Sequence, residues 1–182
     1  MSVYTRRGDD GYTRLLSGER VSKSSKRIRA IGGIDELSSY LGLLRSLGLR
    51  QNVKNFLVEL QNDLFKIGSM LAYTKGRYSD RIPRITSLDV EKLESQIDRL
   101  EAKLDVQKFF ILPGGSLEVS YIHIARTVCR RVESDIAELF AEDGIDEIIL
   151  KYMNRMSDYL YVLARYVAKE QGIEEQRANL KD

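Results

Sequence analysis

Residues 122–136, IHIARTVCRRVESDI, decide the fold class of this 182-residue chain. Apolar side chains recur there every three or four residues, at Ile122, Ala125, Cys129, Val132 and Ile136. That spacing puts them on one face of an α-helix, whereas a half-buried strand would alternate apolar and polar residues. The stretch therefore predicts a long amphipathic helix whose other face is polar.

Four more stretches with helical apolar spacing lie on either side of this one. They fall within residues 25–47, 53–72, 88–104 and 149–167. The chain has no Trp and only two Pro, which favours helices, and no stretch indicates a convincing strand. Gly32 and Gly33 interrupt the first stretch and indicate close packing there. Short connections between such helices favour antiparallel neighbours, so we expect an all-α, five-helix up-down bundle.

The length of the chain corresponds to one ordinary domain with its own core. We expect residues 1–182 to form this single domain in three parts. They are an N-terminal segment over residues 1–22, the helical bundle over 23–171, and a charged tail over 172–182.

Composition argues against several classes of partner. Lys and Arg number 29 against 27 Asp and Glu, and the two signs alternate, so the net charge of +2 attracts neither nucleic acid nor a membrane strongly. No apolar run reaches the roughly 18 residues of a spanning helix, and the N-terminus has no apolar signal core. Cys129 is the only cysteine. We therefore expect a reduced, soluble, cytoplasmic protein.

The N-terminal run TRRGDDGYT, residues 5–13, combines turn residues, hydroxyls and two arginines. Such a run can wrap backbone N–H groups around phosphate oxygens, although it is not a Walker A motif. A polar, frayed terminus is the alternative interpretation.

Arg126, Arg130 and Glu133 lie within an arc of about 60° on the predicted fourth helix, with His123 one turn earlier. Two guanidinium groups on one face can bind a polyphosphate, and a nearby carboxylate can orient them or accept from a sugar hydroxyl. A solvated face with ion pairs is the alternative. A similar polar stripe on the fifth helix contains Asn154, Asp158 and Arg165.

The segment FFILPGGS, residues 109–116, places two aromatics before a tight turn, and Ser116 can cap the next helix. In such a turn, adjacent aromatics often plug one end of a core. His123 alone cannot form a metal site, and Ser120 stands where a di-iron bundle would need Glu. Cys129 falls on the apolar stripe, which predicts a buried, inert thiol. We expect no dedicated metal site.

Seven sequence blocks, taken together and in order, resemble the PduO-type ATP:cob(I)alamin adenosyltransferases. They are YTRRGDDG (4–11), GERVSK (18–23), GIDEL (33–37), QNDLFKIG (61–68), FILPGG (110–115), HIARTVCRRVE (123–133) and NRMSDYL (154–160). The resemblance covers nearly the whole chain. It implies a transferase in which the Co(I) of a reduced corrinoid attacks the 5'-carbon of ATP and expels triphosphate. ATP and cob(I)alamin would be the substrates, with Mg²⁺ as counter-ion.

The resemblance also implies roles for individual residues. Phosphate and Mg²⁺ binding in the segment over residues 1–22 would fall to Thr5, Arg6, Gly8, Asp9, Gly11 and Thr13. Lys23 and Arg130 would assist, and Glu133 and Asn154 would contact the nucleoside.

The family's assembly implies further roles. Asp35 and Arg126 would form an ion pair across a subunit boundary of a homotrimer with ATP sites between neighbours. Phe110 would pack beneath the corrin ring, where the lower axial base otherwise coordinates, with Phe109 as a rival for that role. A corrinoid reductase is an expected partner.

Three positions depart from the family's usual pattern. Arg6 replaces a frequent Lys, Ser38 replaces the usual Asn, and Ser17-Gly18 replaces a frequent Gly-Gly. None removes a charge, although Arg6 presents a planar fork instead of a point charge. Two other functions stay open from sequence: a non-catalytic ATP-sensing or corrinoid-carrying bundle, and a purely structural adaptor that binds no ATP.

Overall fold

The computed structural model describes residues 4, 6, 8–74 and 82–179. Within that part of the chain, five α-helices carry nearly all of the regular structure, as the apolar stripes predict. They are α1 Lys26–Ser46, α2 Gln51–Leu71, α3 Ser87–Glu101, α4 Leu117–Asp143 and α5 Glu147–Glu170.

Residues of the expected kinds mark three of the helix ends. Ser116 caps α4 as predicted, since its hydroxyl accepts a hydrogen bond from the backbone N–H of Val119 at 3.2 Å. Thr86 and Asp89 form a reciprocal capping box at the start of α3. Gly144 ends α4 in the left-handed conformation, at φ 60°. The boundaries therefore follow local sequence chemistry.

Helix α4 lies at the centre of the bundle. It packs against α1 on one side and α5 on the other, while α2 packs on α1 and α3 packs on α5. At the α1–α4 contact, a Cβ added to Gly33 would lie 2.7 Å from Cγ2 of Val132. Gly33 therefore permits the close packing that the glycines predicted, whereas a Cβ on Gly32 would meet open space.

The N-terminal segment corrects the prediction that the chain contains no strand. Strand β1, Tyr12–Arg14, pairs antiparallel with β2, Arg20–Ser22. Each strand has only three residues, too few to show an alternating pattern in the sequence. Gly18, at φ 85°, lies in the turn that joins them.

The segment after α5 pairs with the loop between α3 and α4. The backbone N–H of Leu112 donates to the carbonyl of Gln176, and that of Ala178 donates to the carbonyl of Phe110, both at 2.8 Å. Residues 172–179 thus cover the end of the bundle that carries this loop. No helix in the described part of the chain is long and apolar enough to cross a membrane.

Candidate active site

Arg126 and Arg130 project from α4 into a cavity of about 460 Å³ that α3 and α5 also line. Neither guanidinium has an ion-pair partner among the described residues. Desolvation, and next the positive charge of Arg130, lower the pKa of Arg126. Because the like charges of these two side chains are uncompensated by an ion pair, the pair suits an anionic ligand.

Two of the four acidic side chains that line the cavity pair with a different arginine. Nε of Arg155 lies 2.8 Å from Oε1 of Glu94, and Nη1 of Arg155 lies 3.2 Å from Oδ2 of Asp158. These bonds raise the pKa of Arg155, with the Glu94 bond as the largest cause. Arg155 therefore engages these two carboxylates on α3 and α5 and leaves the two α4 arginines uncompensated.

Glu133 and Asn154, both expected to contact the nucleoside, are brought together by the packing of α4 on α5. The side-chain amide of Asn154 donates to Oε1 of Glu133 at 3.1 Å. Its carbonyl oxygen accepts from Arg155 at 3.1 Å. Glu133 stands three residues after Arg130, so this polar pair adjoins the arginines on α4.

The N-terminal loop brings a second group of the expected residues together. The backbone N–H of Lys23 donates to the carbonyl of Gly11 at 2.9 Å. A Cβ on Gly8 would lie 3.0 Å from Nζ of Lys23, so glycine lets the ammonium group approach the loop. Thr13 pairs with Val21 in the hairpin. Gly8, Gly11, Thr13 and Lys23 thus share one turn-and-hairpin unit.

The acidic and basic residues of this loop have different roles in its structure. Asp10 accepts from the backbone N–H of Tyr12 at 3.1 Å and from Arg20 at 2.6 Å, and these bonds lower its pKa. Asp9 is exposed. Arg6 adopts φ 57°, a conformation that is uncommon for a residue other than glycine, and lies over the ring of Tyr4 at 5.6 Å. Thr5 lies outside the described residues.

The two groups stand apart within one chain. The described residues of the N-terminal loop are absent from the lining of the arginine cavity. Instead, the backbone N–H of Ser17 in the hairpin donates to the carbonyl of Ala72 at 3.4 Å, just beyond the end of α2. A single chain therefore presents two halves of the predicted ATP site on different surfaces.

Asp35 and Arg126, the expected ion pair, are likewise apart. Asp35 is exposed on α1, at the edge of an apolar groove of about 430 Å³ that Leu16 and Phe65 also line. Its carboxylate has no ion-pair partner among the described residues, whereas the neighbouring Glu36 pairs with Arg131 on α4. Asp35 and Arg126 are not paired in the described chain.

Phe110 is 72% exposed and Phe109 is 39% exposed. The interpretation that Phe110 plugs the end of the core is therefore wrong. Gly115 has φ 120°, and a Cβ there would lie 2.7 Å from Cγ2 of Ile173. The glycine thus lets the loop lie directly on the segment after α5, which leaves Phe110 presented to solvent.

Residues that sequence reasoning missed surround this loop. Tyr161 and Gln107 contact each other between α5 and the loop, and residues 172–179 hold the loop's backbone. Tyr161 follows the last quoted block directly, which is the only signal that could have indicated it. Nothing in the sequence singles out Gln107.

The described residues contain no group of three or more His, Cys, Asp or Glu side chains that could hold a metal ion. His123 is buried, and burial lowers its pKa. Cys129 is also buried, which confirms the prediction of a buried thiol, and burial raises the pKa of that thiol.

Comparison with known proteins agrees with the fold and identifies the family of the chain. Residues 3–167 match the cobalamin adenosyltransferase family. The chain belongs to this family.

Individual relatives are similar over nearly the whole chain. The corrinoid adenosyltransferase of Bacillus subtilis is 40% identical, with 95% of this chain and 90% of that protein covered. The corrinoid adenosyltransferase PduO of Salmonella typhimurium is 39% identical over 91% of this chain, which spans only 49% of that longer protein. Among solved structures, a phenylalanine-to-histidine variant of the PduO-type ATP:corrinoid adenosyltransferase of Lactobacillus reuteri, complexed with cobalamin and ATP, superimposes with a TM-score of 0.92. It is 33% identical, and the match covers 100% of this chain and 98% of that one.

Proposed function

We propose that this chain is an ATP:corrinoid adenosyltransferase, which transfers the 5'-deoxyadenosyl group of ATP to the Co(I) of a reduced corrinoid. The observation that carries the proposal is Arg130, which lines a cavity without an ion pair among the described residues and adjoins Glu133 and Asn154. Family membership and relatives with this activity in their names support it. These findings favour the enzyme over a non-catalytic ATP sensor or corrinoid carrier.

The reaction needs no nucleophile from the protein. The electron pair of Co(I) forms the cobalt–carbon bond, and the bond between C5' and its oxygen breaks. The electrons of that bond leave with triphosphate, and cobalt is oxidised to Co(III). The protein therefore contributes alignment of C5' over cobalt and stabilisation of the charge on the leaving triphosphate.

Arg130 is the residue to which we assign that stabilisation. It is exposed, has no described ion pair, and adjoins Glu133 and Asn154, which we assign to the nucleoside. A guanidinium in this setting can turn both of its donor edges to phosphate oxygens. Holding the nucleoside beside it would orient the triphosphate along α4.

The N-terminal loop would bind the phosphates from the other side. We assign this role to Thr5, Arg6, Gly8, Asp9, Gly11, Thr13 and Lys23. Mg²⁺ would enter with ATP, held chiefly by the phosphates, since Asp10 is engaged by Arg20. The ion would supply charge neutralisation on the triphosphate.

A homotrimer would join the two halves of the site. The loop and the arginine cavity lie on different surfaces of one chain, and Asp35 and Arg126 each lack an ion pair among the described residues. An Asp35–Arg126 bond between neighbours would compensate both charges at once. The apolar groove beside Asp35 is a surface that association would bury.

Phe110 would face the corrinoid. Its exposed ring can pack beneath the corrin ring and displace the lower axial base, which favours reduction of Co(II) to Co(I). The reduction would draw on a separate corrinoid reductase. We place the reaction in the cytoplasm, where ATP and reductant meet.

The direct test mixes the protein with Mg-ATP and chemically reduced cobalamin and follows the light-sensitive spectrum of adenosylcobalamin. A reaction without ATP and one without protein are the controls. We expect adenosylcobalamin to form only in the mixture that contains protein, Mg-ATP and reduced cobalamin. Binding of both substrates with no product would favour the carrier function instead.

A further inference from the structure

A continuous set of contacts links Arg126 to the loop that presents Phe110. The guanidinium carbon of Arg126 lies 5.9 Å from the centre of the Tyr161 ring. The hydroxyl of Tyr161 donates to Oε1 of Gln107 at 2.7 Å. The side-chain amide of Gln107 in turn donates to the carbonyl of Phe109 at 2.8 Å.

Gln107 is chemically suited to the middle of this set. Its carboxamide accepts from Tyr161 with one atom and donates to the Phe109 carbonyl with another, which neither a carboxylate nor an aliphatic side chain can do. Gln107 and Tyr161 are both half-buried, so water competes only in part for the bond between their side chains, whereas the bond from Gln107 to the Phe109 carbonyl is exposed. The Tyr161–Gln107 bond joins α5 to a loop residue distant in sequence.

The Phe109–Phe110 backbone is held from two directions. Gln107 donates to the Phe109 carbonyl, and the backbone N–H of Ala178 donates to the next carbonyl, that of Phe110. The second contact ties the loop to the segment after α5. Only the first leads back, through Tyr161, to the arginine cavity that Tyr161 itself lines.

We propose that Tyr161 and Gln107 are positioning residues that hold the Phe110 loop in a fixed position relative to Arg126 and, along the same helix, to Arg130, so that the corrinoid and the triphosphate are aligned. The inference rests on the proposed function for its catalytic meaning. Neither residue needs to touch a reacting atom. The aromatic ring of Tyr161 supports Arg126, and its hydroxyl fixes the loop.

The test uses Tyr161→Phe, Gln107→Leu and the double variant in the full chain. Tyr161→Phe keeps the ring beside Arg126 and removes only the hydroxyl. We expect each single variant to lower kcat and the fraction of four-coordinate Co(II) formed with ATP by about five- to tenfold, as for loss of one net hydrogen bond. The Kd for Mg-ATP should not change. The double variant should be no worse than either single one, because both break the same link.

Tyr152→Phe is the matched control. Tyr152 also lies on α5, and its hydroxyl donates to Asp63 at 2.7 Å, away from the arginine cavity. Loss of the Tyr152 hydroxyl should lower Tm without changing the fraction of four-coordinate Co(II). If Tyr152→Phe lowers that fraction as much as Tyr161→Phe does, the effect is one of general stability and the inference is overturned.

A second readout separates this inference from the proposed function. Backbone amide hydrogen exchange over residues 109–115 should become faster in Tyr161→Phe and stay unchanged in Tyr152→Phe. Unchanged exchange in Tyr161→Phe overturns the inference whatever the activity. A wild-type protein that makes no adenosylcobalamin overturns the proposed function instead.

Discussion

Nε of Arg126 donates a hydrogen bond to Nδ1 of His123, one turn earlier on α4, across 3.4 Å. Burial of the imidazole, and next the charge of Arg126, lower the pKa of His123 to about 4, while Glu175 acts in the opposite direction. The ring is therefore neutral at neutral pH, with the proton on Nε2 and the lone pair of Nδ1 facing the guanidinium. His123 thus orients Arg126 without placing a charge against it, so the guanidinium stays available to an anionic partner.

This pair predicts a loss of stability in mild acid. The folded-state pKa of about 4 lies below the ordinary value of 6.5, so the unfolded chain takes up the proton first. The contribution of neutral His123 is complete above pH 6.5 and is lost progressively as the pH falls toward 4. We expect a loss of roughly 2 to 3 kcal/mol across this window. Denaturant unfolding of wild type and His123→Gln at several pH values measures this loss of unfolding free energy. A stability difference between the two proteins that does not vary with pH would contradict the prediction.

Replacement of Arg130 by Ala is expected to lower turnover by about 10²- to 10³-fold, because the guanidinium acts on charge that develops on the leaving triphosphate. The change in stability should stay within roughly 0.5 kcal/mol, since Arg130 is exposed and has no described ion pair. Steady-state rates at saturating ATP and thermal melts provide the comparison. Arg131→Ala is the control, because Arg131 points toward α1 and pairs with Glu36. If Arg130→Ala and wild type had equal turnover, Arg130 would have no role in stabilising the leaving triphosphate.

Asp35→Asn is expected to weaken both assembly and activity. The substitution removes the charge that would meet Arg126 of a neighbouring copy and leaves that arginine uncompensated, at a cost of about 2 kcal/mol or more. Light scattering over a range of protein concentrations measures the oligomeric state, and the rate of adenosylation measures the activity. Glu36→Gln is a matched control, since Glu36 pairs within its own chain. A fully active monomeric wild type would exclude the proposed trimer.

Phe110→Ala is expected to remove the spectrum of four-coordinate Co(II) in the presence of ATP and to lower adenosylation by more than tenfold, because a small side chain readmits the axial base or water. Binding of Mg-ATP, measured by titration calorimetry, should stay near the wild-type value. Phe109→Ala should have the smaller effect, since that ring is the less exposed of the two. If Phe110→Ala still forms four-coordinate Co(II) normally, another group must displace the lower axial base.

The helices follow from the sequence because their signals are local. The stripe through Cys129 and Val132 requires a buried face, and the hydroxyl of Ser116 marks the start of α4. The strand at Tyr12–Arg14 gave no such signal, because three residues are too few for alternation to be distinguished from a loop.

The site was only partly accessible from sequence. Arg126 and Arg130 share a face by helical geometry alone, but the contact of Glu133 with Asn154 depends on how α4 packs on α5. Gln107 lies in a loop without a recognisable motif, and tertiary packing alone brings it to its partner Tyr161. The residues after α5 have the composition of a charged tail, and composition does not reveal that the backbone of Ala178 would bond to Phe110.

The backbone bonds between the Phe110 loop and the segment after α5 also affect the order in which the protein is made. The loop is synthesised before α4, α5 and residues 176–178, so the carbonyl of Phe110 lacks its hydrogen-bond partner until translation is nearly complete. The end of the bundle that carries Phe110 is therefore completed last during translation. A nascent chain stalled before Gln176 would contain every core helix and still lack the backbone hydrogen bonds to Leu112 and Phe110.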